Sequence, residues 1–254
     1  MSGHSKWATT KHRKAAQDAK RSSLFSKHSR NITVAAKQGG DPNPDNNASL
    51  AAAIAKARMD SMPNARIKAA IDKAFGSGSD AAQYESVVYE GYGPAGVAVY
   101  VECLTDNRNR TAADVRAAFN HSGGNLGTSG SVAFQFERKG RVAVDKEIMP
   151  DEDEFMMAVA EAGGDDYEDE GETWVAWCPY TSLNELVTGF KDQGIEVKGS
   201  DLTMVPTTPS EVDVTDAKKV QRLIDRLEEL DDVQNVYSTM EITDEIAEAL
   251  AEED

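Results

Sequence analysis

Residues 76–104, GSGSDAAQYESVVYEGYGPAGVAVYVECL, mark where this chain changes its pattern. Gly76-Ser77-Gly78-Ser79 reads as a linker, because two glycines between serines favour neither helix nor strand. Beyond it, Tyr84 to Tyr89 and Val97 to Leu104 are rich in β-branched and aromatic residues and read as two strands. They meet around Gly91-Tyr92-Gly93-Pro94. Gly91-x-Gly93-x-x-Gly96 matches the spacing of a dinucleotide-binding loop, but that loop must open a helix whose N-terminus holds the pyrophosphate. Here Val97-Ala98-Val99-Tyr100-Val101 is a strand and Pro94 sits inside the turn, so a hairpin is expected.

Before the linker, residues 8 to 75 read as helices. Ala15, Ala16 and Ala19 are strong helix formers. Leu24, Phe25, His28, Ile32, Ala35 and Ala36 then recur at helical spacing, with Ser22-Ser23 as a candidate break. Gly39-Gly40 ends this stretch, and Asp41-Pro42-Asn43-Pro44 makes a loop. A further helix is expected over about 48–61, with Leu50, Ile54 and Ala57 inward. Another follows Met62-Pro63, capped by Asn64, with Ile67, Ile71 and Phe75 as its apolar face.

After the hairpin comes a polar loop, Thr105 to Arg110, then a helix capped by Thr111 with Val115 and Phe119 inward, ending near Gly123-Gly124. A second round follows. Segments 131–137 and 141–144 predict a hairpin around Lys139-Gly140, 151–162 a helix, 174–178 a strand, 183–190 a helix and 195–198 a short strand. Gly140-Arg141-Val142-Ala143-Val144 repeats the Val-Ala-Val of Gly96-Val97-Ala98-Val99 and hints at duplication. Last come an amphipathic helix over about 216–230, a strand over 233–240, and an acidic tail expected to fray. The order predicts an α+β protein: an N-terminal helical bundle followed by two ferredoxin-like α/β domains, one inserted in the other. Expected boundaries are 1–78 for the basic helical domain, 79–130 and 205–243 for the discontinuous domain, 131–204 for the insert and 244–254 for the tail.

Charge separates along the chain. Residues 1–78 hold 14 Lys/Arg and 5 Asp/Glu, a balance of +9, in a protein whose formal net charge is −17, which leaves −26 on the remainder. A basic end on an acidic body suits a polyanion bound at that end alone. Arg13, Lys20 and Lys27 are seven apart, as are Lys14 and Arg21, and Arg30 and Lys37. Seven residues is nearly two helical turns, so each set shares a face and can follow a phosphate backbone. The candidate nucleic-acid-binding residues are Lys6, Trp7, Lys11, His12, Arg13, Lys14, Lys20, Arg21, Lys27, Arg30 and Lys37, with Trp7 placed to stack on a base or to anchor the helix. Arg108 and Arg110 form a possible second surface, or pair with the acidic body.

Other constellations exclude more than they suggest. His4, His12 and His28 lack the i, i+4 spacing of a helical zinc site and read as polar contacts on the basic surface, while His121 reads as a helix-end residue. Asp151 to Glu154 suits a helix start, and neither that run nor the acidic stretch 165–172 has the spacing of a calcium loop. The run Gly123 to Ser131 lacks the Gly-Lys-Ser/Thr ending of a phosphate-binding loop and reads as a linker. Cys103 and Cys178, each in an apolar segment, read as buried free thiols. No Ser/His/Asp or Cys/His set is visible, and no apolar run reaches the ~20 residues of a membrane span. The first residues lack the apolar stretch of a secretory signal. No catalysis, cofactor, metal, membrane or small-molecule substrate is expected, and the location expected is cytoplasmic.

Several motifs resemble the YebC/PmpR family: Met1-Ser-Gly-His-Ser-Lys-Trp7, Lys11-His-Arg-Lys14, Asp18-Ala-Lys-Arg21, Val34-Ala-Ala-Lys37, Tyr89-Glu-Gly-Tyr-Gly-Pro94, Leu104-Thr-Asp-Asn-Arg-Asn-Arg-Thr111 and Gly123-Gly-Asn-Leu-Gly127. His28-Ser29-Arg30-Asn31 departs from the Leu-x-Arg-Glu-Ile pattern of that family. The resemblance implies a three-domain protein with a discontinuous middle domain and a DNA-binding transcriptional regulator. Mitochondrial relatives imply a translational activator instead, and bacterial members a factor acting on stalled ribosomes. The partner expected is therefore DNA or structured RNA, the latter on the ribosome.

Overall fold

A computed structural model describes residues 3–76 and 84–251, with side chains from Arg21 onward. Ser77 to Ser79 of the expected linker lie outside the described residues, as do the side chains of His4, Lys6, Trp7, Lys11, His12, Arg13, Lys14 and Lys20. The chain divides into two compact units, Met1–Ala133 with Ser210–Asp254, and Phe134–Pro209.

In the first unit, helix α1 spans Gly3–Gly39 without interruption, about 55 Å of helix. Ser22-Ser23 does not break it. Serine and threonine weaken helices by offering the backbone other hydrogen bonds, but the Ser23 hydroxyl makes none, and those of Ser26 and Thr33 donate within the helix, to Ser22 O at 3.1 Å and Ser29 O at 2.8 Å. Gly40, at φ +69°, lets the chain leave α1. Helix α2 spans Ala48–Met59, and Asn47 caps it by accepting from Leu50 N at 3.1 Å. Helix α3 spans Asn64–Phe75. Asn64 does not cap it, because Pro63 occupies the cap position and Asn64 is already helical. The three helices bury Phe25, Ile32 and Ala36 against Leu50, Ile54, Ala57, Ile67, Ala70 and Ala74. His28 is buried rather than part of a basic surface, and its Nε2 lies 2.6 Å from Asp60 Oδ2 just beyond α2.

Strands β1 (Glu85–Tyr92) and β2 (Ala98–Thr105) form the expected antiparallel hairpin, turning through Ala95 and Gly96 at φ +55° and +76°. Helix α4 (Arg108–His121) follows, capped by Asn107 rather than Thr111. Asn107 Oδ1 accepts from Arg110 N at 3.1 Å, while the Thr111 hydroxyl turns inward. Strand β3 (Asn125–Leu126) then pairs with β1. Gly91 has to be glycine, since a Cβ there would lie 2.6 Å from Asn125 O and 2.7 Å from the Phe119 ring. After the second unit, α7 (Val214–Glu228) and β8 (Val233–Ser238) return to this sheet, giving the order β3-β1-β2-β8 with every neighbour antiparallel. Helices α4 and α7 cover one face with Val115, Phe119, Leu223 and Leu227 over Val99, Val101 and Cys103. The tail does not fray over its first turns: Asp244–Ala251 is helix α8, because Ile246 is buried beside Val97, Val220 and Met240.

The second unit runs strand–helix–strand–strand–helix–strand: β4 (Phe136–Asp145), α5 (Glu152–Ala162), β5 (Asp166–Asp169), β6 (Thr173–Pro179), α6 (Leu183–Asp192) and β7 (Gly199–Pro206), in sheet order β5-β6-β4-β7. The hairpin expected at Lys139-Gly140 is instead the middle of one strand, paired on both sides. Gly140 allows close approach rather than a turn, since a Cβ there would meet Cys178 Sγ at 2.6 Å and Leu183 Cβ at 3.2 Å. The strand expected at 195–198 is irregular chain after the turn at Gln193-Gly194; Ile195 is apolar because it is buried against Phe190 and Leu186 of α6, and β7 begins at Gly199. Asp151 caps α5 through Glu154 N at 3.0 Å, and Phe155 stacks on Trp174 and Phe190 with centroids 5.6 and 6.0 Å away. The chain is thus α+β: N-terminal helices and two four-stranded antiparallel sheets.

The end of the run Gly123 to Ser131 and the two residues after it do hold an anion through their amides, but the anion is the chain's own. The buried Glu90 carboxylate accepts from Gly130 N at 2.7 Å, Val132 N at 2.8 Å and Ala133 N at 2.7 Å. Burial alone would raise this carboxyl, yet the three amides hold it below its ordinary value. Glu90→Ala should therefore cost about 2 kcal/mol, because it strands the buried Val132 amide and two part-buried ones at once; the chemical denaturation midpoint checks this, and an unchanged midpoint would remove Glu90 from the role. Cys103 is buried, its thiol pushed up to about 12 by desolvation and then by the charge of Asp232. Cys178 is buried too and also raised, again first by desolvation. A thiol reagent at pH 8 should label neither in the native protein and both after unfolding.

Candidate nucleic-acid interface

The unbroken α1 places Lys6, Trp7, Lys11, His12, Arg13, Lys14 and Lys20 on the first five turns of the same helix that carries Arg21, Lys27, Arg30 and Lys37. Arg13, Lys20 and Lys27 therefore stay in one helical register, as do Lys14 and Arg21. Arg21 and Lys37 are exposed, and the Arg21 guanidinium lies 5.5 Å from the Phe25 ring centroid.

Lower on the helix the cations turn inward to the body of the same unit. Lys27 Nζ donates to Glu228 O at 2.8 Å, and Arg30 donates to Asp231 O while its Nη2 lies 3.1 Å from Asp232 Oδ1. These oxygens follow the last turn of α7, where unsatisfied carbonyls carry the negative end of the helix dipole. Burial lowers the Lys27 pKa, and the negative groups around Glu228 and Asp231 only partly oppose it. So two of the stripe's residues hold α1 to the α7–β8 turn.

Asp232 is the centre of this contact. Its Oδ2 accepts from Arg110 Nη2 at 2.8 Å and Nε at 3.3 Å, from Thr111 Oγ1 at 2.7 Å and from Thr105 Oγ1 at 3.3 Å. Arg110 also reaches Asp106 at 2.8 Å, and these two carboxylates raise its pKa further. Desolvation would lift the Asp232 carboxyl, but the hydrogen bonds of Arg110 and Thr111 and the charge of Arg30 hold it below 3.8. Of the possible second surface, Arg110 is thus paired with the acidic body, while Arg108 stays exposed with Glu85 at 4.0 Å.

Residues that the sequence reading passed over complete the picture. Arg66 and Lys73 of α3, seven apart like the pairs on α1, join Arg30 in lining a cavity of about 410 Å³ between α1 and α3. The Arg66 guanidinium lies 5.4 Å from the Phe25 ring centroid, and Lys73 Nζ is 3.3 Å from Tyr84 Oη. The seven-residue spacing was visible in the sequence, but the side on which α3 meets α1 was not. Among the described residues, no group of three or more His, Cys, Asp or Glu is placed to hold a metal ion, and no helix is long and apolar enough to cross a membrane.

These features define a class: an α+β protein with two four-stranded antiparallel sheets and a basic helical segment at its N-terminus. Within that class the chain belongs to the TACO1/YebC family. Residues 5–77 match the family's N-terminal domain and 84–240 its second and third domains. A probable transcriptional regulatory protein of Bifidobacterium animalis subsp. lactis is 48% identical over 253 residues, 100% of both chains. Proteins with the same description in Rubrobacter xylanophilus, 48% identical over 99% of this chain and 100% of that one, and Aeromonas salmonicida, 50% identical over 98% and 100%, are as similar. The crystal structure of the conserved hypothetical protein Aq1575 from Aquifex aeolicus superposes with a TM-score of 0.79 at 40% identity, covering 90% of this chain and 93% of that one.

Because the folded-state pKa of Asp232 is depressed, its contribution to stability is present above the unfolded value and is lost as pH falls through the folded one. Wild-type stability should accordingly drop as pH falls below about 4, and Asp232→Asn should flatten that part of the profile. At pH 7, Asp232→Ala should cost about 2–3 kcal/mol, at the lower end for a broken buried pair because Arg110 is half exposed. Urea titrations from pH 3 to 7 read both effects.

Proposed function

We propose that this protein is a non-enzymatic, cytoplasmic regulator of gene expression that binds nucleic acid through α1 and its neighbouring basic helices, as a transcriptional regulator acting on DNA. One observation carries the reading: a balance of +9 over residues 1–78 in a chain of net charge −17. Segregated charge of this kind orients a protein on a polyanion, with phosphates neutralised at one end and the acidic body held away. The descriptions of the relatives as probable transcriptional regulatory proteins support the same reading. Within it, Lys6, Lys11, Arg13, Lys14, Lys20 and Arg21 are the phosphate contacts. Trp7 and His12 add contacts beside them, Lys37 extends the face, and Lys27 and Arg30 fix the helix that presents it.

A second reading, a ribosome-associated translation factor, is favoured by the continuity of α1. Helix-turn-helix readers need two helices at a steep angle across a short turn, and α1 has no such break. A continuous basic helix suits recognition of backbone and shape, the usual mode on structured RNA.

Cosedimentation with ribosomes against competing duplex DNA, at about 50 and 200 mM salt, separates the two. Six or more phosphate contacts should lose roughly a thousandfold in DNA affinity across that range. Retention on ribosomes at the higher salt with DNA failing to compete selects the translational reading; loss to DNA selects the transcriptional one. Charge reversal of Arg13, Lys14, Lys20 and Arg21 together should lower the salt slope on duplex DNA by about 3.5, at about 0.9 per contact. An unchanged slope would place the interface elsewhere.

A further inference from the structure

The cavity between α1 and α3 differs from its surroundings. Its lining includes Phe25, Arg30, Arg66, Lys73 and Tyr84, which brings three cations and two aromatic rings together with no carboxylate. All of the lining but Tyr84 comes from the basic segment 1–78, so the depression continues the positive character of that end of the chain. Of its cations, Arg30 is tied to Asp231 and Asp232. Arg66 and Lys73 are exposed at the mouth, and among the described residues neither is in an ion pair. Ala69, also exposed, separates them on the same face of α3 and leaves room between the two charges.

We propose that this cavity is a binding site for an unpaired nucleotide of single-stranded nucleic acid, its phosphate held between Arg66 and Lys73 and its base lying towards Tyr84. The inference rests on the nucleic-acid reading above and gives it a second contact point beyond the α1 stripe. Arginine offers a planar fork that matches phosphate oxygens, and lysine a mobile point charge, so the two together grip a phosphodiester without fixing its sequence. A volume of about 410 Å³ suits one nucleotide and is too small for a duplex, whose paired bases stay inside the helix. Cationic grooves with aromatic rings are how proteins follow single strands, because every base has a face to stack and every nucleotide a phosphate. An acidic peptide would use the same cations but gain nothing from the Tyr84 ring.

The test uses the full-length protein and fluorescence anisotropy with a labelled 12-nucleotide uridine RNA, with a 20-base-pair DNA duplex and polyglutamate as competitors. Arg66→Gln with Lys73→Gln should weaken RNA binding at least tenfold and lower the salt slope by about 1.4, at about 0.7 per phosphate on single strands. Ala69→Glu, a helix-compatible change at an exposed position, should weaken it to a similar degree by placing a carboxylate between the cations; it decides the matter if the double variant fails to fold. Wild-type affinity in a variant that keeps the wild-type melting temperature overturns the proposal. So does displacement of the RNA by polyglutamate at equal charge. If Arg13→Glu with Lys14→Glu abolishes binding while both groove variants bind normally, the groove proposal falls and the function proposed for α1 stands. If the wild-type protein binds neither RNA nor duplex, both fall.

Discussion

A buried carboxylate, Asp232, is the point through which the first unit is tied together. It collects Arg30 from α1, Arg110 and Thr111 from α4, and Thr105 from the end of β2, on a turn that joins α7 to β8. Removing a carboxylate from water is costly, and one cation seldom compensates. Here two guanidinium groups and two hydroxyls converge on one side chain: Oδ2 takes the hydrogen bonds, while the buried Oδ1 has Arg30 at ion-pair distance and no hydrogen bond. The basic helix is therefore held by the same group that fixes the α4 cap region. Whatever α1 binds, it binds from a fixed position relative to the sheet behind it.

Glu90 applies the same logic elsewhere in that unit. Three amides of the segment after β3 point at its carboxylate, so a glycine-rich run that might have served a ligand is fastened to β1 instead. The acidic side chains of the body thus have structural uses: Glu90 orders a loop and Asp232 gathers cations, while backbone carbonyls at Glu228 and Asp231 take Lys27 and Arg30. Basic residues of the stripe divide accordingly. Those near the turn are consumed by the body, while Arg21 and Lys37 remain exposed on α1, and Arg66 and Lys73 on α3.

Much of the fold was legible because it rests on local periodicity. The hairpin at Gly91–Gly96, the helices α2 to α7 and the strands β2, β6 and β8 follow from apolar spacing and turn residues. The misreadings share one cause. Gly140 reads as a turn because glycine marks turns in isolation, but it is set by Cys178 and Leu183, which lie about 40 residues away in sequence. Ile195 looked like a strand and Ile246 like part of a loose tail because an isolated apolar residue does not announce what it packs against. Ser22-Ser23 reads as a break in isolation, but the packing of Phe25, Ile32 and Ala36 against α2 and α3 keeps the helix continuous.

The sequence by itself determined that the chain is α+β, that its charge is split between a basic helical end and an acidic remainder, and that the cations recur every seven residues. These are properties of composition and short-range spacing, and they survive any arrangement of the elements. Only the tertiary structure decided which cations are available. Arg30 and Arg110 read as equivalent to Arg21 and Arg108 in sequence, yet the first two meet Asp232 across 202 and 122 positions of chain. Charge pairing depends on distance in space, falling steeply over a few ångströms in water, and the folded chain sets that distance without regard to separation along the sequence.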